Sequence, residues 1–78
     1  MRVHLWGELG FYGPERRSRF EFHVEREMPL DEALRLVGVP IADVAVTGLN
    51  GEVVRLDDLS LTVTDTDRLD LFPPTSGG

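Results

Sequence analysis

The chain has 78 residues, a net charge of −6, 41% hydrophobic residues and no cysteine. That length supports one small core, and the lack of cysteine excludes disulfides, iron–sulfur clusters, thiolate zinc sites and a cysteine nucleophile. The acidic balance argues against direct binding of nucleic acid, which wants a basic face, and no apolar run approaches the roughly 20 residues of a membrane span.

Residues 2–9 alternate, with Val3, Leu5 and Leu9 on one side and Arg2, His4, Trp6 and Glu8 on the other. This predicts a strand. The polar members also interrupt the apolar stretch a signal peptide needs, so a cytoplasmic location is expected. Gly10-Phe11-Tyr12-Gly13-Pro14 is loop chemistry. Residues 18–25 alternate again, with Phe20, Phe22 and Val24 inward and Arg19, Glu21, His23 and Glu25 outward. Two such strands make a hairpin with a long loop.

The period then changes. Leu30, Ala33, Leu34 and Val37 fall on one face of a short helix. Pro29 suits its first turn, and Asp31 and Glu32 complement the positive end of its dipole. Gly38 is a natural terminator, and Pro40 prevents resumption. Val44-Ala45-Val46 begins a third strand, and Asn50-Gly51 is the pair favoured by a type I′ hairpin turn. Val53 and Val54 start the return strand. Residues 57–61 read as irregular, with room for one 3₁₀ turn, and Asp65-Thr66-Asp67 reads as a turn. Arg68 to Phe72 is the last strand, with Leu69 and Leu71 inward and Asp70 and Phe72 outward. Pro73 and Pro74 end it, since neither can donate to a ladder.

The order is ββαβββ or ββαββ. It predicts an α+β fold, a mixed four- to five-stranded sheet with one main helix packed on one face. Residues 1–72 form a single domain, and residues 73–78 form a projecting tail. The outer sheet face carries His4, Trp6, Glu21 and His23.

Two features bear on function. The last strand is followed by two prolines, two small polar residues and Gly77-Gly78. A tip without Cβ atoms threads a narrow channel and approaches a phosphate or nucleophile closely; a frayed end is the alternative. Second, His4, Trp6 and Phe72 share the outer face by parity. Aromatic residues anchor interfaces, so a partner-docking patch is one reading. A Trp packed under the Phe11-Tyr12 loop is the other.

No metal site is expected. His4 and His23 read as cross-strand neighbours with Glu21 or Glu25 available as a third ligand, but a surface His pair is more often plain solvated surface. Asp57-Asp58 and Asp65-x-Asp67 lack the rest of a calcium-loop pattern and read as turn formers. Arg16, Arg17 and Arg19 read as a solvated loop. Neither a phosphate-cradling glycine loop nor a credible Ser-His-Asp set is present. The acidity is uneven, with a net −1 over residues 1–40 and −5 over residues 41–78. That suits a partner with a basic surface.

The run Asp67-Arg68-Leu69-Asp70-Leu71-Phe72-Pro73-Pro74-Thr75-Ser76-Gly77-Gly78 resembles the C-terminus of the small subunit of molybdopterin synthase, MoaD. Thr66 stands where that family usually has glycine between two acids. The hairpin from Val44 to Val54 is similar to the family's V-N-G-E-x-V segment. The element order matches the β-grasp, or ubiquitin-like, fold of the MoaD and ThiS sulfur carriers. The first hairpin also resembles the ubiquitin-like domain attached to some Mut7-C proteins.

The resemblance implies a carrier cycle. An activating adenylyltransferase of the MoeB or ThiF type would adenylate the Gly78 carboxylate with MgATP, and sulfur would replace AMP to leave a thiocarboxylate. The carrier itself would bind no cofactor and would not be a stand-alone enzyme. Gly78 would supply the reacting carbon and Gly77 a thin approach. Pro73 and Pro74 would hold the tail off the sheet, and Thr75 and Ser76 would be spacers for a partner's channel. The implied acceptor is the large molybdopterin synthase subunit. Thiamine synthesis, tRNA thiolation, protein conjugation through Gly78 and a non-catalytic interaction module are the alternatives.

Overall fold

Alternating burial builds the sheet. In β1 (Arg2–Leu5) Val3 and Leu5 are buried, and in β7 (Arg68–Phe72) Leu69 and Leu71 are buried. The computed structural model describes residues 1–58 and 60–74. It sets these two strands side by side and parallel, with Val3 opposite Leu69 and Leu5 opposite Leu71. Strand β2 (Arg19–Glu21) pairs antiparallel with the free edge of β1. On the other side β4 (Val46–Leu49) runs antiparallel to β7, and β5 (Glu52–Val54) returns beside it. The result is a mixed five-stranded sheet in the order β2-β1-β7-β4-β5.

The helix α1 (Leu30–Val37) buries Leu30, Ala33 and Leu34. Pro29 is its N-cap, and Gly38 ends it by donating its N–H to the Leu34 and Arg35 carbonyls. The buried stripe joins Val3, Leu5, Leu69 and Leu71 of the sheet in one core. Each leucine so buried contributes about 1.5–3 kcal/mol, which is what holds a two-turn helix that would melt alone. One main helix therefore covers one face of the sheet, the arrangement expected for a β-grasp fold. The Asn50-Gly51 turn is as expected: Asn50 has φ 54° and Gly51 φ 87°, both left-handed, as type I′ requires.

Several elements differ from expectation. β1 stops at Leu5, not residue 9, because the chain turns at Gly7 (φ 55°) into 3₁₀ geometry over Gly7–Tyr12. Leu9 still reaches the core, 1% exposed, but from that turn. The second strand is three residues long. Beyond it the Phe22 N–H donates to the Met1 carbonyl, and the Val24 N–H donates to the Asp65 side chain rather than to a strand. The third strand begins at Val46, after a 3₁₀ turn at Ile41–Asp43. Just after the stretch read as irregular, a ladder forms that no sequence pattern predicted: β6 (Thr62–Val63) runs antiparallel to β3 (Met28–Pro29) as a separate two-stranded sheet. Leu59 lies outside the described residues.

The histidines are not cross-strand neighbours. His4 lies opposite Arg19, and His23 lies beyond the end of β2, with Nδ1 3.3 Å from Asp65 Oδ1. Among the described residues no group of three or more His, Cys, Asp or Glu is placed to hold a metal ion, and no helix is long and apolar enough to cross a membrane.

Candidate functional site

The site is built from β7 outward. This strand is central in the sheet, and it is held on both sides up to its last residue. The Trp6 N–H donates to the Leu71 carbonyl at 2.9 Å, and the Ala45 N–H donates to the Phe72 carbonyl at 2.8 Å. Pro73 and Pro74 then follow, and neither has an N–H to offer a neighbour. The described chain therefore ends at Pro74 on a root clamped between the end of β1 and the start of β4. Thr75, Ser76, Gly77 and Gly78 lie outside the described residues.

Beside this root the outer face carries an aromatic ladder. The His4 and Trp6 rings stack with centroids 4.0 Å apart at 27°, and Trp6 and Phe72 stack at 5.2 Å and 15°. Parity placed these three side chains on one face, and the structure brings them into contact. Trp6 remains 40% exposed, so the ladder is a surface feature and not core. Register adds what parity along single strands did not reveal. Val46 lies opposite Phe72, and Val53 of β5 lies on the same face, largely exposed. An apolar stripe thus crosses the sheet from Val53 to Trp6.

Asp70 organises the polar side of the ladder. Its Oδ1 accepts a hydrogen bond from Trp6 Nε1 at 3.0 Å, and His4 Nδ1 lies 3.7 Å from the same oxygen. Arg68 Nε lies 3.6 Å from Oδ2. Sequence reasoning assigned Asp70 only an outward direction. The clue was available, since Asp70 shares the parity of His4 and Trp6, but its use required the parallel β1–β7 register.

On the far side of the root lies a cleft of about 410 Å³, lined by Glu8, Leu9, Phe11, Tyr12, Asp43 and Pro74. The Tyr12 hydroxyl donates to Asp43 Oδ2 at 2.6 Å and so ties the 3₁₀ turn after β1 to the turn before β4. That hydrogen bond holds the Tyr12 hydroxyl above its usual pKa, with smaller contributions from burial and from the Asp43 and Glu8 charges. Gly7 meets the tail directly. A Cβ placed on it would come within 3.1 Å of Pro73 Cγ. Neither the cleft's Tyr12–Asp43 bridge nor the Gly7 contact was visible in the sequence.

The arrangement can hold a terminal segment in a set direction beside an aromatic face. The ionisable groups nearest the root face one another, His4 beside Asp70 and Tyr12 against Asp43.

Comparison with known proteins agrees with this geometry. The fold is similar to the NMR solution structure of a thiamine biosynthesis protein from Geobacter metallireducens, with a TM-score of 0.57 and 22% identity, covering 100% of this chain and 88% of that one. At that identity the likeness speaks to fold alone. No curated protein matches the chain. A family model described as the ThiS family matches residues 10–78, which takes in the helix, every strand of the sheet except β1, and the sequence through Gly78. The chain belongs to the ThiS family and is a ubiquitin-like sulfur carrier of the MoaD/ThiS type.

Proposed function

We propose that this chain carries sulfur on its terminal carboxylate, as a Gly78 thiocarboxylate. The observation that supports this most is the family match running through residue 78, so that Gly77-Gly78 belongs to the matched pattern. The clamped root and the aromatic face beside it are what such a carrier needs. One positions a thin tail, and the other gives a partner something to grip.

An activating adenylyltransferase of the ThiF or MoeB type binds the carrier with MgATP. A Gly78 carboxylate oxygen attacks the α-phosphorus, and pyrophosphate leaves. Hydrosulfide from the sulfur donor then attacks the acyl carbon, the acyl C–O bond to phosphate breaks, AMP leaves with that oxygen, and loss of a proton gives the Gly78 thiocarboxylate. The carrier supplies the acyl carbon and the docking face, with Trp6, His4 and Phe72 as anchors. ATP and Mg²⁺ belong to the partner.

The destination we favour is a pterin acceptor, the large molybdopterin synthase subunit. It rests on the Pro73-Pro74-Thr75-Ser76-Gly77-Gly78 ending. The second reading is thiazole synthesis, favoured by the fold neighbour being a thiamine biosynthesis protein.

Intact mass spectrometry tests the carrier step. The chain is incubated with the activating enzyme of its own organism, MgATP and a sulfur donor. Exchange of one terminal oxygen for sulfur is expected, and removal of Gly77 and Gly78 abolishes it. No exchange in the full chain would refute the reading. Copurification from the native organism then separates the destinations by which acceptor comes down with the carrier.

A further inference from the structure

β7 is held by hydrogen bonds as far as Phe72, through Trp6 and Ala45. After Phe72 the ladder cannot continue, because two prolines follow. Packing therefore bears on the direction in which the chain leaves the sheet, and Gly7 is a neighbour of Pro73. Gly7 has φ 55°, in the left-handed region, and a Cβ on it would lie 3.1 Å from Pro73 Cγ and 3.7 Å from Cδ. Carbon atoms in good contact sit about 3.5–4.0 Å apart, so the bare Cα leaves just enough room for the ring. Gly38 shows that a positive φ does not by itself imply such contact: its φ is 94°, yet nothing lies within 4 Å of its would-be Cβ.

Both sides of the contact are stiff. The turn carrying Gly7 is anchored by buried Leu9, whose N–H donates to the Trp6 carbonyl at 3.1 Å. Pro73 has its φ locked by its own ring, so a push on Cγ is met by a limited change of ring pucker and otherwise passed to the main chain. A small change of angle at the root grows along the residues that follow.

We propose that Gly7 is a positioning residue for the tail: its bare Cα is the seat for Pro73, and it sets the direction in which the reactive end leaves the sheet. The consequence for turnover rests on the carrier reading above; the contact itself rests on geometry. Misplacing reacting atoms by about 1 Å costs as much as 10²-fold in rate. A wrongly aimed tail would thus lower turnover while leaving the docking face, and so KM, nearly untouched.

The test uses Gly7→Asn, Pro73→Ala and the double variant. Asparagine carries a Cβ and tolerates the left-handed backbone better than other L residues, so it adds the contact with the least conformational strain available. Pro73→Ala removes the ring that the Cβ would meet. Two readouts are taken: amide hydrogen exchange, and ATP–pyrophosphate exchange by the organism's own ThiF-type activating enzyme. In Gly7→Asn the Ala45 amide should exchange about tenfold faster, with the Leu69 amide unchanged. Its kcat should fall about tenfold or more, with KM within about twofold. Adding Pro73→Ala should return both readouts to those of the Pro73→Ala variant. Unchanged Ala45 exchange, uniform acceleration across the sheet, a loss confined to KM, or a kcat defect that persists in the double variant would each overturn the proposal. If the unaltered chain is never adenylated, the carrier reading fails instead, and amide exchange alone decides whether Gly7 seats Pro73.

Discussion

Trp6 stacks on Phe72 with ring centroids 5.2 Å apart, and this contact joins the residue after β1 to the last residue before the tail. The two come together only because β1 and β7 are parallel neighbours. The same indole donates to Asp70, so one side chain braces two residues of β7 on its outer face.

Truncating that side chain should have two separable effects. Trp6→Ala should destabilise the fold by about 1–2 kcal/mol in urea denaturation, less than a core truncation, because the ring is half exposed. It should also weaken binding to the activating enzyme at least fivefold or so, in the manner of an interface anchor. Trp6→Phe keeps the stack and loses the Asp70 hydrogen bond, and should recover most of the affinity. Calorimetric titration of the three proteins checks the ranking.

Core truncation should be far more damaging. Leu69 is fully buried in the central strand. Leu69→Ala should cost about 2–5 kcal/mol, a large share of the stability of so small a domain. Circular dichroism in urea should show a midpoint shifted strongly downward. Val53, 79% exposed on the outer face, is the contrast. Val53→Ala should stay within about 0.5 kcal/mol.

Acid stability should depend on two aspartates. The Val24 N–H holds Asp65 below the usual carboxylate pKa, with further help from the Met1 amine. The Asn50 side-chain amide does the same for Asp67, aided by the Thr64 N–H. A carboxyl depressed in the folded state stabilises above its unfolded pKa of about 3.9, and that contribution is lost as pH falls through the folded value. Tm should therefore drop as pH is lowered below about 4. Asn50 also accepts from the Arg68 N–H at 2.9 Å. Asn50→Ala should cost about 1–2 kcal/mol at neutral pH. Because the Asp67 pKa then moves back toward its unfolded value, the variant should also show a shallower acid limb. Thermal scans across a pH series measure both.

Association with the activating enzyme should weaken as salt is raised. Residues 41–78 carry a net −5, and the tail belongs to that half. Screening shortens the reach of exposed charge to about 10 Å at 0.1 M salt. Binding measured across a salt series should show a falling on-rate, and a flat response would argue against a basic partner groove.

Most of the architecture was legible along the chain. The Leu30-Ala33-Leu34-Val37 stripe located the helix, and Asn50-Gly51 located its hairpin turn. The Leu69 and Leu71 alternation located the last strand. In each case the signal is local: a period of 3.6, a pair of positive φ angles, or a period of 2. The errors share a cause as well. Leu9 continued the parity of β1, but parity records only that a residue points inward, and a 3₁₀ turn delivered it there. Thr62-Val63 is too short to alternate, so its pairing with Met28-Pro29 had no period to betray it.

The site divides the same way. Composition and order by themselves established a small single-core chain, a mixed sheet with one helix, and a tail ending in Pro-Pro and Gly-Gly. These follow from local propensity and from the ban on ladder hydrogen bonds at proline. Only the tertiary structure decided that Trp6 meets Phe72, that Asp70 serves Trp6, and that Gly7 faces Pro73. Those contacts join residues more than sixty positions apart. They exist because β1 and β7 lie side by side, and pairing between distant strands is set by how the whole core closes rather than by any stretch of neighbouring residues.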